Sequence, residues 1–192
     1  MFFGKRYDYE QKNMLPENNK KLNRLSAGTP DKRNQHKRLE LLQSMPIFGG
    51  IRADTLVFLL EHSKQVAVKK GDYFYHEKDP AQSLFVLVHG KVMLLKAWLG
   101  EEYILKALEP GNCFGEVALM DLQPRNTTSL ATEDSRAIEL TNDTFHLLFE
   151  REIEQYTMIR MNMAREVCRR LREADSRAFA ADIQARRLKR PH

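Results

Sequence analysis

Hydrophobic positions along the chain change spacing twice, from a helical period to an alternating one and back. Residues 1–35 show no sustained hydrophobic period and are rich in Asn, Lys, Pro and Gly, so we predict a flexible tail there. From His36 onward, apolar side chains recur every three or four residues until Pro46 interrupts the pattern. A second helical run covers residues 52–63, with Asp54 as the expected N-cap. The pattern therefore predicts a tail followed by short helices.

Between residues 64 and 141 the pattern is that of short strands separated by turns. The runs are rich in β-branched and aromatic residues, and turn residues separate them at fairly even spacing. This arrangement predicts a mainly β domain, either a small β-barrel or a jelly roll, with flanking α-helices. The predicted turns lie at Gly71–Asp72, His89–Gly90, Pro110–Asn112 and Glu133–Asp134.

After Thr141 the helical period returns, and neither Gly nor Pro occurs between residues 142 and 180. Apolar residues recur at steps of three and four along one face, interrupted by Arg160. A long helix beyond a small barrel favours pairing with a second copy, so we predict a homodimer, while packing on the chain's own barrel accounts for part of the face. The apolar positions are Ile153, Tyr156, Met163, Val167, Leu171, Ala174 and Ala178.

These transitions divide the chain into four predicted parts. They are a basic N-terminal tail at 1–35, a barrel with its N-terminal helices at 36–141, C-terminal helices for a lid and dimer contact at 142–180, and a basic tail at 181–192.

Charge is distributed unevenly along the 192 residues, whose formal net charge is +5. Residues 1–38 hold ten Lys and Arg against four Asp and Glu, and residues 160–192 hold the same numbers. Residues 39–159 hold 11 basic and 18 acidic side chains. The basic ends are either solvated surfaces or contacts for an acidic partner, a nucleic acid or the acidic centre of the chain.

The cysteines and the N-terminus bear on the cellular compartment. Cys113 and Cys168 lie far apart in apolar surroundings, without the spacing of a zinc site, so we expect two free, buried thiols in a reducing cytoplasm. The first residues lack the apolar core of a signal peptide, and no apolar run approaches the ~20 residues that span a membrane. We therefore expect a cytoplasmic protein without a membrane span.

The segment FGEVALMDLQPRN, residues 114–126, combines residue types that bind a sugar and an anion. Gly115 leaves backbone N–H groups open to a ligand, and the N-terminus of the short helical turn after it adds positive potential. Glu116 can accept hydrogen bonds from a sugar hydroxyl. Arg125, which follows Pro124, offers a fork of donors suited to phosphate oxygens. A sugar hydroxyl and a phosphate together describe a nucleotide.

This segment resembles the phosphate-binding cassette of cyclic nucleotide-binding domains, as found in catabolite activator protein and protein kinase A regulatory subunits. The family pattern is Phe-Gly-Glu, apolar-Ala-Leu, a short spacer and then Pro-Arg with small residues, and FGEVALMDLQPRNTTSL matches it closely. The similarity extends over about residues 40–180 and includes the Gly-Asp turn at 71–72 and the Phe-x-x-x-x-Gly-x-Val hairpin from Phe85 to Val92. The resemblance implies a jelly-roll barrel that binds a cyclic nucleotide.

The resemblance also implies a role for each matched residue. Gly115 is expected to donate its backbone N–H to the cyclic phosphate or the ribose, Glu116 to accept from the ribose 2′-OH, and Arg125 to pair with the phosphate. On the helix after the barrel, Asp175 is expected either to accept from the adenine N6 amine or to be a solvated helix acid. The predicted ligand-binding residues are Gly115, Glu116, Val117, Ala118, Arg125, Asn126, Thr127 and Asp175.

Two positions depart from the family pattern. Asn126 stands where the family has Ala, Ser or Thr, which leaves the purine preference open. Lys78 stands where many members have Gly in a turn. We expect that turn to lie remote from the cassette, so that the departure changes the structure only locally.

We predict a regulatory protein that binds cAMP, with cGMP as an alternative ligand, and that signals to an unidentified effector protein through a conformational change. The alternatives are a scaffold of the same fold without ligand, a sensor of another nucleotide such as a cyclic dinucleotide, and a cupin-like enzyme.

An enzyme is the least favoured of these alternatives. The six histidines form no His-x-His pattern, and no Ser-His-Asp or Cys-His arrangement is evident, so neither enzymatic activity nor a metal site is predicted. Too few residues follow the long helix for a helix-turn-helix, so we expect no sequence-specific DNA binding, although the basic ends allow weak, salt-sensitive contact with nucleic acid.

Overall fold

Eight short strands and five α-helices form the computed structural model, which describes residues 32–188 and the side chains of residues 36–187. Most of the tail predicted at 1–35 and the last four residues therefore lie outside the described part of the chain. In chain order the elements are α1 (Lys32–Gln43), a 3-10 turn (Pro46–Phe48), α2 (Ala53–Glu61), β1 (Lys64–Val68), β2 (Tyr73–Tyr75), β3 (Ser83–His89), β4 (Val92–Trp98), β5 (Glu101–Leu108), β6 (Cys113–Phe114), α3 (Glu116–Asp121), β7 (Thr128–Ala131), β8 (Ser135–Thr141), α4 (Asn142–Arg151) and α5 (Ile153–Leu188).

The strands pair antiparallel in two four-stranded sheets, with the orders β1-β8-β3-β6 and β2-β7-β4-β5. In each sheet a strand from the end of the barrel sequence lies between two that precede it: β8 lies between β1 and β3, and β7 lies between β2 and β4. The barrel therefore closes only when β7 and β8 are in place. This confirms the predicted jelly-roll barrel with flanking helices and a long C-terminal helix.

Strand β3 separates two groups of buried side chains. Leu84 and Val86 face the helices, whereas Phe85 and Leu87 face the barrel interior, as the alternation of a strand requires. The barrel interior is thus lined by an aromatic group, and the helices cover the outer face of one sheet. The aromatic side chains inside the barrel are Phe74, Tyr75, Phe85 and Phe114.

Helix α5 packs on the barrel over its first half and extends beyond it over its second. Met163 is fully buried, whereas every side chain from Leu171 to Ala180 is exposed. Residues 171–187, of which all but Ile183 are exposed, correspond to about 26 Å of helix. The helix continues to Leu188, and the described residues contain no helix long and apolar enough to cross a membrane.

Two sequence-based expectations are wrong. Helix α2 begins at Ala53, so Asp54 lies inside its first turn, where its carboxylate accepts from Arg52 Nε at 3.2 Å and from the Thr55 N–H at 2.9 Å. Cys168 is exposed on the outer side of α5, whereas Cys113 is buried as expected. A helical period alone does not tell which face of α5 meets the barrel.

Candidate functional site

The predicted cassette folds as strand β6, the six-residue helix α3 and a loop that returns to β7. Gly115 joins β6 to α3 with φ +80°, a conformation that glycine adopts without steric cost. A Cβ atom at this position would also collide with the guanidinium of Arg125. Both the backbone conformation and the close approach of Arg125 therefore require glycine here.

Arg125 is buried, with 4% of its surface exposed. Its Nη1 donates to the Gly115 carbonyl at 2.8 Å, its Nη2 donates to Ser83 Oγ at 3.4 Å, and its Cζ lies 4.3 Å from the centre of the Tyr75 ring. Burial lowers the pKa of Arg125. Within residues 36–187 no carboxylate forms an ion pair with Arg125, and its Nε has no hydrogen-bond partner. A buried cation without a counter-ion is costly, so this arginine is suited to an anionic ligand.

The backbone of Arg125 is held by the turn after β2. The Arg125 N–H donates to the Asp79 carbonyl at 2.9 Å, and the Lys78 N–H donates to the Arg125 carbonyl at 2.8 Å. Lys78 has φ +73°. Our expectation that this turn is remote from the cassette is therefore wrong. Because β2 pairs with β7, the turn that follows β2 lies beside the loop that precedes β7.

Glu116 is the first residue of α3 and is 1% exposed. Its Oε1 accepts a hydrogen bond from Nη1 of Arg170, and Arg170 Nη2 also donates to the Cys113 carbonyl at 3.1 Å. Its Oε2 has no hydrogen-bond partner among the described residues. Burial raises the pKa of the Glu116 carboxyl, and the Arg170 guanidinium opposes this rise. The free oxygen is an acceptor suited to a ligand hydroxyl.

Arg170 was not among the predicted site residues. Arg170 lies on α5. Burial lowers the pKa of its guanidinium, but the neighbouring carboxylate of Glu116 raises it, and the net effect is a raised pKa. The sequence contains no signal that separates Arg170 from Arg169, whose side chain pairs with Glu166 and Glu173 on the helix surface. Only the packing of α5 against the cassette distinguishes them.

The ring of Tyr75 lies beside Arg125, and Arg125 in turn contacts the backbone of Gly115, the residue before Glu116. Burial is the main cause that raises the pKa of Tyr75 to about 12, and the neighbouring charge of Arg125 opposes this rise. Thr127 is itself buried. The structure thus brings a cation, an acceptor and polar groups together at one end of the barrel.

The remaining predicted residues lie at different depths. Val117 is half-buried and Ala118 buried on α3. Asn126 is exposed, and its carbonyl accepts from Lys96 Nζ at 3.0 Å. Asp175 lies on the exposed part of α5, and no hydrogen bond or ion pair within the described region joins it to the group around Tyr75.

Two grooves run along α5 rather than over the cassette. One, of about 590 Å³, is lined by residues near the start of α5, and the other, of about 470 Å³, lies beside Arg172 and Arg177. Neither is lined by Glu116 or Arg125. Over the described side chains, no three His, Cys, Asp or Glu residues cluster in a way that could hold a metal ion.

Comparison with known proteins identifies what this arrangement is similar to. The cyclic nucleotide-binding domain family matches residues 65–152. The cyclic AMP receptor protein of Thermus thermophilus is 30% identical over 135 residues, which are 70% of this chain and 61% of that protein. The cAMP-dependent protein kinase regulatory subunit of Hypocrea atroviridis is 36% identical over 107 residues, 56% of this chain and 22% of the relative.

Among solved structures, the catabolite activator protein of Thermus thermophilus aligns with a TM-score of 0.63 and 29% identity, covering 71% of this chain and 63% of that one. The chain therefore spans about three fifths of the length of the bacterial relative it matches.

Proposed function

Because the chain contains a cyclic nucleotide-binding domain related to those of cAMP receptor proteins and protein kinase regulatory subunits, we propose that it is a regulatory sensor that binds cAMP and signals to a partner protein. The observation that carries this proposal is the unpaired charge of Arg125. This buried guanidinium has no carboxylate partner in the described part of the chain, and it lies against Gly115, next to Glu116 with its free oxygen.

The ligand contacts follow from these groups. The cyclic phosphate pairs with the Arg125 guanidinium and meets the backbone at Gly115. The ribose 2′-OH donates to Oε2 of Glu116. The proposed lining of the site is completed by Val117, Ala118, Asn126 and Thr127, and the proposed purine contact is Asp175.

The signal passes through α5. Arg170 of α5 holds Glu116, so a ribose hydroxyl that binds the same carboxylate changes the contact between α5 and the cassette. Helix α5 is also tied to the N-terminal 3-10 turn, because Asn162 Nδ2 donates to the carbonyls of Ile47 at 3.3 Å and Gly49 at 2.8 Å. A shift of α5 therefore reaches the N-terminal helices, provided that the two positions of α5 differ in affinity for the ligand.

A second copy of the chain is the proposed partner of the exposed end of α5. Leu171, Ala174 and Ala178 follow each other at steps of three and four, the spacing of a two-helix seam. The effector protein itself is proposed to dock on the surfaces that move with α5.

The proposed compartment is the cytoplasm, because the free thiols of Cys113 and Cys168 fit a reducing environment. The proposed role is regulatory rather than catalytic.

Calorimetry with cAMP and cGMP on the 192-residue chain tests the proposal. We expect cAMP to bind, and Arg125→Ala to weaken binding at least 100-fold, because a charged, desolvated phosphate contact is lost. Arg136→Ala is the matched control, since Arg136 is exposed on β8. Tighter binding of cGMP assigns the site to that ligand.

The competing function is a scaffold that binds no ligand. The observation that favours it is the burial of Glu116 and Arg125, which neither groove along α5 reaches. Absence of heat with both nucleotides supports the scaffold. Mass spectrometry of the purified chain distinguishes a sensor of another nucleotide, such as a cyclic dinucleotide, because that ligand would be released on denaturation.

A further inference from the structure

Tyr75 lies directly against the guanidinium of Arg125. The centre of its ring is 4.3 Å from Arg125 Cζ, whereas the ring of Phe85 is 5.7 Å away. Tyr75 is 8% exposed, so this cation–π contact is shielded from water, where such contacts are strongest. Neither the sequence pattern nor the proposed ligand contacts assign a role to this tyrosine.

The fold directs Tyr75 to this place through an irregularity in β2. Phe74 and Tyr75 are consecutive and both belong to the barrel interior, which the alternation of a regular strand does not allow. The pairing of β2 with β7 shifts register between Tyr73 and Tyr75. Such a bulge re-aims one side chain. Here it turns the Tyr75 ring into the barrel beside Arg125.

The neighbouring rings hold Tyr75 in place. Its centroid lies 6.1 Å from that of Phe85 and 6.1 Å from that of Phe114, and Phe85 and Phe114 are themselves stacked at 5.3 Å. These neighbouring rings limit the room in which the Tyr75 ring can tilt.

The guanidinium of Arg125 is thus restrained from three directions. The Gly115 carbonyl accepts from Nη1, Ser83 Oγ accepts from Nη2, and Tyr75 covers one face. An aliphatic side chain at position 75 would bury the same face without the attraction of a π system. Nε is left as a donor without a partner within the described residues.

We propose that Tyr75 is a positioning residue that sets the orientation of the Arg125 guanidinium for an anionic ligand through its ring. The proposal rests on the proposed function, because the anion in question is the cyclic phosphate. A guanidinium held in advance binds more tightly than one that must be ordered on binding.

Three variants of the full chain test the role of the ring. Tyr75→Leu removes it, and we expect about tenfold weaker cAMP binding by calorimetry. Tyr75→Phe keeps the ring without the hydroxyl and is expected to restore affinity to within about threefold. Phe74→Leu is the matched control, because Phe74 belongs to the same aromatic cluster but makes no cation–π contact with Arg125 in the described structure. It is expected to retain affinity.

Two further readouts separate positioning from general stability. The first is the affinity ratio for the two phosphorothioate diastereomers of cAMP, in which sulfur replaces one or the other exocyclic oxygen. We expect wild type and Tyr75→Phe to prefer one diastereomer, and Tyr75→Leu to lose the preference, because its guanidinium is no longer oriented. The second is the NMR signal of Arg125 Nε–H without nucleotide. The ring current should displace this signal further in wild type and Tyr75→Phe than in Tyr75→Leu, where only the more distant Phe85 ring remains.

The outcomes distinguish the two proposals. If wild type binds cAMP and Tyr75→Leu keeps both its affinity and its diastereomer preference, the role of Tyr75 is overturned while the sensor stands. Equal losses in Tyr75→Leu and Phe74→Leu also overturn it, because they indicate cluster stability alone. If wild type binds neither cAMP nor cGMP, the proposed function fails. The positioning role of Tyr75 then fails with it, and a displaced Nε–H signal shows only that the Tyr75 ring lies next to Arg125.

Discussion

Glu116 and Arg125 carry opposite charges at the same end of the barrel, yet they do not pair with each other. Glu116 pairs with Arg170, and Arg125 uses a carbonyl, a hydroxyl and an aromatic ring. Each keeps one polar atom without a partner in the described residues. Two charges that neutralised each other would leave little for a ligand, so the separate partners keep both groups available.

At the residue scale, the ionisation of Glu116 predicts a pH dependence of ligand binding. Burial raises the pKa of this carboxyl above its ordinary value of 4.5. As pH falls through the raised value, Glu116 takes up a proton and loses both its pairing with Arg170 and an acceptor for the ribose. We therefore expect cAMP affinity to fall on acidification, with a midpoint above 4.5, measured by calorimetry between pH 5 and 8.

Glu116→Gln and Glu102→Gln provide the controls for this prediction. The first removes the titrating group, so its weaker affinity should no longer change over this pH range. Glu102 is exposed on β5, and its variant should follow wild type. Identical pH profiles for wild type and Glu116→Gln would contradict the assignment.

At the scale of elements, the turn after β2 acts as a support for the cassette. Its backbone exchanges two hydrogen bonds with Arg125. The pairing of β2 with β7 places the turn there, and Lys78 adopts φ +73° to complete it. A side chain in this left-handed region costs about 1 kcal/mol or more. The geometry of the site is thus maintained against local strain.

Lys78→Gly is predicted to stabilise the fold. Glycine relieves the strain of the positive φ but loses more entropy on folding, so we expect a net rise of about 0.5–1 kcal/mol in the free energy of unfolding. Urea denaturation of the ligand-free chain measures it. Lys91→Gly is the matched control at an exposed turn lysine whose φ is not positive, and it should lower stability. Equal effects of the two substitutions would refute the strain at Lys78.

At the scale of the whole molecule, α5 connects three regions. Its first half is anchored on the N-terminal turn through Asn162, its middle holds the cassette through Arg170, and residues 171–180 are all exposed. Exposed apolar side chains on that half include Leu171 at 58% and Phe179 at 69%. A helix that contacts the cassette through Arg160 and Arg170 and presents an apolar face further along can couple ligand binding to assembly.

Ala178→Glu is predicted to weaken the proposed dimer. A carboxylate at a seam position of two paired helices either loses its hydration or lies against the same carboxylate of the second chain, which repels it. Either effect opposes association. Analytical ultracentrifugation at several protein concentrations measures the change. Arg177→Glu alters charge at the neighbouring position outside the seam and should leave the dimer largely intact. A monomeric wild-type chain at high concentration would rule out the helix pairing.

The barrel and the cassette were predictable because they depend on local rules. Turn residues predict the breaks at His89–Gly90 and Glu133–Asp134, and in the structure these breaks separate β3 from β4 and β7 from β8. The motif from Gly115 to Arg125 lies within one short segment, so its spacing in sequence indicates its geometry. The buried state of both Glu116 and Arg125 was not apparent from that spacing.

Long-range packing decided the rest. Arg170 reaches Glu116 across 54 residues, and Arg125 reaches Ser83 across 42. Such contacts depend on how whole elements dock. Arg169 and Arg170 illustrate this, because a rotation of about 100° around the helix separates a surface group from a half-buried partner of Glu116. Local periodicity therefore determines which elements form and which residues are chemically competent, whereas the docking of α5 and of the turn after β2 determines which of those residues meet.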